Sequence, residues 1–327
     1  MILTQRRLNR TLLARQGLLE RRELSIPEAL DAMGTLQAQS APSMYIGLWS
    51  RVAGLRRDAL THALERREVV QGTLMRHTIH LVSRSDYWPL ANAIAGARRA
   101  HWLRVSKGHD LSAEAETLAA ALRHAPLKRK EIEDLIGREA VRGINSYLDL
   151  LRVPPSGTWA RRRADIFALA EAHIDRAPPR PGHIVRRYLT GFPPAAKADI
   201  ANWAGMNLKE IEPEFAAVEL AEYEAEDGTT LYDLPGQPLA DEDTPAPVRF
   251  LPTWDAVLLV HARRTQLLPE ACRDRIFHIR MPQSIGTFLV DGQVAGTWKP
   301  TGELTYFAEV DTRPVEQEAA RLADFIA

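Results

Sequence analysis

Two glutamines separated by one residue, Gln37 and Gln39 in Leu36-Gln37-Ala38-Gln39-Ser40-Ala41-Pro42, are the side chains whose type and spacing could serve chemistry together. A side-chain amide is neither acid nor base, but it offers one acceptor oxygen and an NH₂ that donates twice. Two amides side by side can therefore orient a water, a sugar or a phosphate without exchanging a proton with it. On an α-helix residues i and i+2 point about 200° apart, whereas in an extended segment they share a face. Pro42 biases Ala41 away from the α region, so a helix does not easily run straight through. The spacing predicts an extended joint presenting both amides on one side. The alternative is two solvated glutamines at a helix end.

Other chemistry is sparse. The chain has no phosphate-binding G-x-x-x-x-G-K-[ST] loop, no G-x-G-x-x-G and no H-E-x-x-H. His77 and His80 lie three apart on an expected strand, where they face opposite ways and cannot share a metal ion. The single cysteine, Cys272, excludes an internal disulfide and a Cys-rich zinc site. No metal and no other cofactor is expected. No run of eighteen apolar residues occurs, and the first residues hold no signal-peptide core. These features predict a protein of the reducing cytoplasm, away from membranes; a monomer associated with the nucleoid is expected.

The formal net charge of zero hides an asymmetry. Residues 1–200 hold 32 Lys and Arg against 20 Asp and Glu, a balance of +12, and residues 201–327 hold 10 against 22, a balance of −12. A basic front half predicts a polyanion partner, and arginine's planar fork suits phosphate. The competing explanation is a GC-rich coding sequence that writes Arg for Lys on solvated helix faces. Candidate phosphate contacts are Arg98 and Arg99, Arg104 with Lys107, Lys128, Arg129 and Lys130, Arg161, Arg162 and Arg163, and Arg186 with Arg187.

The elements that must position the glutamines follow from pattern. With 327 residues, two or three units are expected. Residues 6–15 read as a helix. Ser25 with Glu28 three residues on is a capping box, with Pro27 in the first turn, and this helix leads into the glutamine joint. Helical patterns at 44–49 and 57–65 follow. Residues 69–82 alternate like a two-stranded ribbon turning at Gly72-Thr73. On that ribbon Arg76, Thr78, His80 and Val82 would share one face, and Met75, His77, Ile79 and Leu81 the other. One face must pack inward, so either histidine could be a packed or a surface residue, while an Arg-Thr-His edge would suit a ribbon laid in a DNA groove. Helices followed by a ribbon are the order of a winged helix.

Residues 83–104 read as a long helix, then helical runs follow at 112–124, 129–137 and 139–151. A turn over 153–159 separates two short strands. After a proline-rich linker at 177–182 come helices at 184–190, 195–204 and 209–218 and a hairpin at 221–234 turning at Asp227-Gly228. One heptapeptide pattern recurs three times, at 28–34, 131–137 and 199–205. Each copy has an acid first, apolar residues second, fifth and sixth, and glycine seventh. A short helix with an inward apolar face and a glycine C-cap is how the first helix of a helix-turn-helix ends. Beyond a linker at 236–247, strands are expected at 248–251, 256–260, 276–279, 286–290, 294–299 and 303–308, with a hairpin at Asp291-Gly292. A helix over 314–326, with Leu322, Phe325 and Ile326 inward, closes the chain. The expected class is α+β: three tandem winged-helix units (1–110, 111–178, 179–236) and a C-terminal antiparallel β-rich part (237–327).

These residues resemble the bacterial winged-helix DNA glycosylases of the AlkZ and YcaQ (AlkX) type. The resemblance runs through Leu36-Gln37-Ala38-Gln39, residues 73–82, Arg187-Tyr188-Leu189 with Asp199 and Trp203-Ala204-Gly205, residues 254–265 and residues 289–298. It implies three winged helices around a concave DNA-binding face, and removal of alkylated purines from double-stranded DNA. The family's catalytic pattern, glutamine, an apolar residue, then glutamine or aspartate, falls on Gln37 and Gln39. That puts the chain with the Q-x-Q branch, similar to enzymes that unhook interstrand crosslinks and protect producers of DNA-alkylating natural products. The 69–82 ribbon is the candidate for entering the minor groove beside the glutamine joint, and strand alternation puts Arg76, His77, Thr78 and His80, with Ser40, among the expected neighbours of the DNA. The rival class is a non-catalytic winged-helix DNA-binding protein.

Overall fold

The computed structural model describes residues 1–259, 264–277 and 285–327. The chain begins with β1 (Ile2–Leu3), α1 (Gln5–Arg15), α2 (Ile26–Met33), β2 (Leu36–Gln37), α3 (Ala41–Trp49) and α4 (Arg57–Glu65). The hairpin β3 (Val69–Thr73) and β4 (Ile79–Ser83) leads into α5 (Arg84–Val105). Next are α6 (Ser112–Leu122), β5 (Leu127–Lys128), α7 (Arg129–Ile136), α8 (Arg138–Gly143), β6 (Leu150–Arg152) and β7 (Ile166–Leu169). A third group comprises α9 (His183–Gly191), α10 (Lys197–Ala204), α11 (Leu208–Ala216), β8 (Ala221–Ala225) and β9 (Thr230–Asp233). The last comprises β10 (Arg249–Leu251), α12 (Ala256–Leu259), α13 (Arg273–Ile276), β11 (Thr287–Val290), β12 (Gln293–Trp298), β13 (Leu304–Tyr306) and α14 (Thr312–Ile326).

The recurring heptapeptide has a common local structure. In α2, α7 and α10 the acid accepts the backbone N–H three residues before it, Ser25 to Glu28 at 3.0 Å, Lys128 to Glu131 at 2.6 Å and Ala196 to Asp199 at 3.2 Å. An orphan N–H of each helix start is thereby satisfied beside a negative charge. Each helix ends at a glycine of positive φ: Gly34 at 81°, Gly137 at 84° and Gly205 at 76°. After each comes another helix and an antiparallel hairpin: β3–β4, β6–β7 and β8–β9.

Pairing between the groups decides the architecture. A six-stranded sheet in the order β2-β4-β3-β6-β7-β5 joins the first hairpin to the second through β3 and β6. The remaining sheets are β1-β8-β9 and β10-β11-β12-β13. One buried cluster draws on Leu12, Trp88, Ile94, Tyr188, Trp203 and Leu289, so the groups share a core. Contacts also cross the expected boundaries. β1 pairs parallel with β8, and the buried Arg15 forms a two-pronged bond to buried Asp233 at 2.9 and 2.6 Å, so the first fifteen residues join the third hairpin.

Several local expectations change. The turn of the first hairpin lies at residues 74–78, not Gly72-Thr73, which stay in β3; a Cβ on Gly72 would stand 2.5 Å from the Tyr87 ring. The helical run expected at 139–151 stops at Gly143, and β6 begins at Leu150. Ala256–Leu259 is helical rather than a strand, because the Asp255 carboxylate accepts the Val257 N–H at 3.1 Å and caps it. A four-residue apolar run has no period with which to tell the two apart. Ile276 closes a helix, and the rest of the expected strand at 278–279, like Val260, lies outside the described residues. The Asp291-Gly292 hairpin has positive φ at both residues, 45° and 76°, as a type I′ turn requires.

Candidate active site

Leu36-Gln37 forms a short edge strand, with Gln37 opposite His80 and Leu36 opposite Leu81 on β4. The Ala38 N–H continues the ladder to the Ile79 carbonyl at 2.7 Å. The joint is extended, and Pro42 sits harmlessly in the first turn of α3. Gln37 is 4% exposed whereas Gln39 stands in solvent.

Both amides are held by their oxygens. Gln37 Oε1 accepts from Arg76 Nη2 at 3.1 Å, and Gln39 Oε1 accepts from the Ile79 backbone N–H at 3.1 Å. Guanidinium and backbone N–H are donors only, so the atom facing each must be oxygen and the amide orientation is settled. Each oxygen retains one lone pair. Neither Nε2 has a protein partner among the described residues, and that of Gln37 is not sealed from solvent.

Arg76 organises this arrangement. It lies at the hairpin tip with φ of 52°, next to His77 at 58°, while buried Thr35, two residues before Gln37, sits at 109°. Left-handed backbone at three side-chain-bearing residues is unfavourable and survives only where surroundings enforce it. Here the third group enforces it: Arg76 Nη1 donates to the Trp203 carbonyl at 2.7 Å, at the end of α10. A cation is favoured at a helix C-terminus, where unpaired carbonyls point outward. Gly205 is stacked on the Arg76 backbone so closely that a Cβ would come within 2.8 Å of its nitrogen. Burial pushes the Arg76 guanidinium down to about 10, which still leaves it charged at neutral pH. No carboxylate pairs with it among the described residues. Expected on a groove-facing edge, Arg76 is half-buried and links Gln37 to α10.

The rest of the expected ribbon face is likewise dispersed, because 75–78 is a turn and strand alternation does not extend through it. His80 is 1% exposed, with Nδ1 3.0 Å from the Thr78 carbonyl, and burial pushes its pKa down to about 3. It is neutral, its Nδ1 carries the hydrogen, and it offers no face to a groove. Thr78 Oγ1 donates to the Met75 carbonyl at 3.0 Å. The His77 ring lies tilted against that of His101, centroids 4.7 Å apart, and burial pushes its pKa down to about 4.

The basic candidates divide in two. Arg98 is 6% exposed, donating to the Thr73 carbonyl at 2.9 Å and to Asp149 at 2.7 Å, so it braces the hairpin from inside rather than meeting phosphate. Arg99 reaches Asp110 at 3.1 Å and lies 3.5 Å from the Tyr147 ring. Lys128, Arg129 and Lys130 are exposed, Arg129 beside Glu133 at 2.9 Å and Lys130 bonded to Asp134. Arg161 and Arg163 share Asp165 at 3.3 and 3.4 Å. Arg162 lies over Trp159 at 5.4 Å and lines an open cleft of about 610 Å³ that begins at Ser40 and Pro42. Arg187, by contrast, is internal: it donates to Asp86 at 2.8 Å, which also meets His183 at 2.5 Å.

Pattern reading missed a second cleft, of about 500 Å³, lined by Arg76, His77, His101, Arg142, Ser146 and Asn202. Its residues come from elements far apart in sequence, so no spacing signals it.

A family model described as DNA glycosylase AlkZ-like matches residues 30–325. In fold the chain is similar to the DNA glycosylase AlkZ of Streptomyces sahachiroi, with a TM-score of 0.83 over 100% of this chain and 97% of that one, at 18% identity. A comparison with curated proteins gave no match.

Proposed function

Since the chain belongs to the AlkZ-like DNA glycosylase family, we propose that it hydrolyses the N-glycosidic bond of N7- or N3-alkylated purines in duplex DNA, with Gln37 and Gln39 as the catalytic pair. The observation that supports this reading is the fixed orientation of both amides, each oxygen held through one hydrogen bond with its second lone pair left for a water. The Q-x-Q pair extends the proposal to interstrand crosslinks. In the same reading the three helix–glycine–helix–hairpin groups are winged helices, and the protein acts as a monomer on DNA.

The chemistry asks little of the protein. A purine alkylated at N7 or N3 already carries positive charge and leaves without being protonated. As the bond breaks, charge moves to the sugar, which becomes oxocarbenium-like, and a water must approach its opposite face. The remaining lone pair on an amide oxygen can hold that water, and the amide dipole favours the cationic sugar. Arg76 makes Gln37 Oε1 less basic by donating to it, which is tolerable because the electrophile is already a cation. The Nε2 groups are left to bind a phosphate. With no lysine in the contacts of either glutamine, the expected product is an intact abasic site rather than a nicked strand. A base tied to the opposite strand cannot readily flip out, so crosslinks would be cut within the groove.

Incubation with a duplex containing N7-methylguanine tests the reaction. Wild type should release the base and leave alkali-labile sites, and Gln37→Ala or Gln39→Ala should not. DNA binding without release from either monoadducts or crosslinks would sink the proposal in favour of a non-catalytic DNA-binding protein.

A further inference from the structure

The cleft of about 500 Å³ lies where the first hairpin tip (Arg76, His77), α5 (His101), α8 and the residues after it (Arg142, Ser146) and α10 (Asn202) converge. No Asp or Glu lines it. Several surface cations elsewhere are instead paired with acids. Arg56, Arg66, Arg99, Arg129 and Arg313 each stand within 3.2 Å of a carboxylate. Arg142 is exposed and, among the described residues, has neither a carboxylate nor a hydrogen-bond partner. Asn202 is exposed, and its side-chain amide has no hydrogen-bond partner among the described residues. A planar cationic fork, an amide and two imidazoles around one concavity offer donors from several directions. That is the requirement for holding a phosphodiester.

We propose that this cleft seats one backbone phosphate of the substrate duplex, with Arg142 and Asn202 as its principal ligands and His101 and His77 closing its sides. The assignment rests on DNA being the partner, the premise of the proposed function, and names the surface that sets its register. Arg76 is among the residues lining the cleft, and its Nη2 holds the Gln37 oxygen. A phosphate fixed on one side of Arg76 places the scissile bond relative to the amide on the other. The residues come from all three helix–hairpin groups, so the seat exists only in the assembled fold.

The test measures duplex affinity against salt. For wild type, log K should fall linearly with log salt, and each phosphate contact contributes about 0.9 to the slope. Arg142→Ala should weaken binding of an N7-methylguanine duplex about tenfold and flatten the slope by about one. Asn202→Ala should weaken binding without changing the slope, and Arg142→Lys should keep the slope. Neutral methylphosphonates placed one at a time should reveal a single position whose substitution weakens wild type but not Arg142→Ala. That position-specific masking separates a DNA phosphate from inorganic phosphate, which should compete only weakly. Unchanged affinity and slope in Arg142→Ala, or masking at no position, would overturn the proposal. If the slope and masking behave as stated while no base is released, the seat stands and the glycosylase reading falls. If base is released while the slope is unchanged in Arg142→Ala, the seat falls and the glycosylase reading stands.

Discussion

Replacing Arg76 by methionine should separate the catalytic use of this residue from its contribution to stability. Wild-type Arg76 makes two charge-assisted hydrogen bonds, to the Trp203 carbonyl at 2.7 Å and to Gln37 Oε1 at 3.1 Å. Bonds of that type contribute about 1.5–3 kcal/mol each. Against them stands the burial of the guanidinium, which lowers its pKa from 12.5 to about 10. A displacement of that size corresponds to about 3 kcal/mol. The two nearly cancel, and methionine fills much of the same volume, so Arg76→Met should lose no more than about 3 kcal/mol of stability. The Gln37 amide, however, would lose its one fixed partner and rotate. The expected loss is about tenfold in the single-turnover rate of base release, equivalent to about 1.4 kcal/mol. Arg76→Lys, which keeps one donor, should recover part of it. The assay uses enzyme in excess over an N7-methylguanine duplex, with the denaturant midpoint and duplex affinity measured in parallel. A folded Arg76→Met releasing base within twofold of wild type, while Gln37→Ala is inactive, would refute the positioning role.

Three further outcomes are expected. Gly205→Ala must place a Cβ 2.8 Å from the Arg76 nitrogen at φ of +76°, so it should lower both stability and the release rate; Gly228→Ala, with φ of +80° but open space around it, should cost about 1–2 kcal/mol and leave the rate alone. Arg51→Met strands buried Asp255, now bonded at 2.8 and 3.0 Å, and should shift the denaturant midpoint by the equivalent of about 3–5 kcal/mol; adding Asp255→Leu should recover the part due to the stranded charge while losing the cap on Val257. His80 is pushed by burial from 6.5 to about 3, so between those values the unfolded chain holds a proton that the folded chain refuses. Stability should therefore fall as pH drops from 6.5 toward 3, by at most about 1.4 kcal/mol per pH unit from this group. His80→Gln should flatten that dependence in denaturation curves at pH 7 and pH 5, and an unchanged slope would show that His80 is protonated in the fold.

Much of the local structure is written in short-range chemistry. Ser25 with Glu28, the acids at 131 and 199, and the glycines at 34, 137 and 205 define three helices because caps act over three or four residues. Asp291-Gly292 sets its hairpin for the same reason. Gln37 and Gln39 could be singled out because one intervening residue and a following proline bias the joint toward extended backbone. Family resemblance then supplied a chemical reading that spacing alone could not. What remained hidden depends on which faces are buried, and burial is decided by partners distant in the chain. Arg76 and His80 looked like one polar edge, yet a turn at 75–78 breaks the alternation, burying His80 and turning Arg76 toward the end of α10. Arg98 looked like a phosphate ligand, but Asp149, fifty-one residues on, claims it. The side chains of Arg142 and Asn202 carry no local signal, because their shared cleft is a product of packing. The pairing of β3 with β6 and of β1 with β8 belongs with them: strand edges carry the same backbone donors and acceptors whatever their sequence. Only the tertiary structure could choose among them.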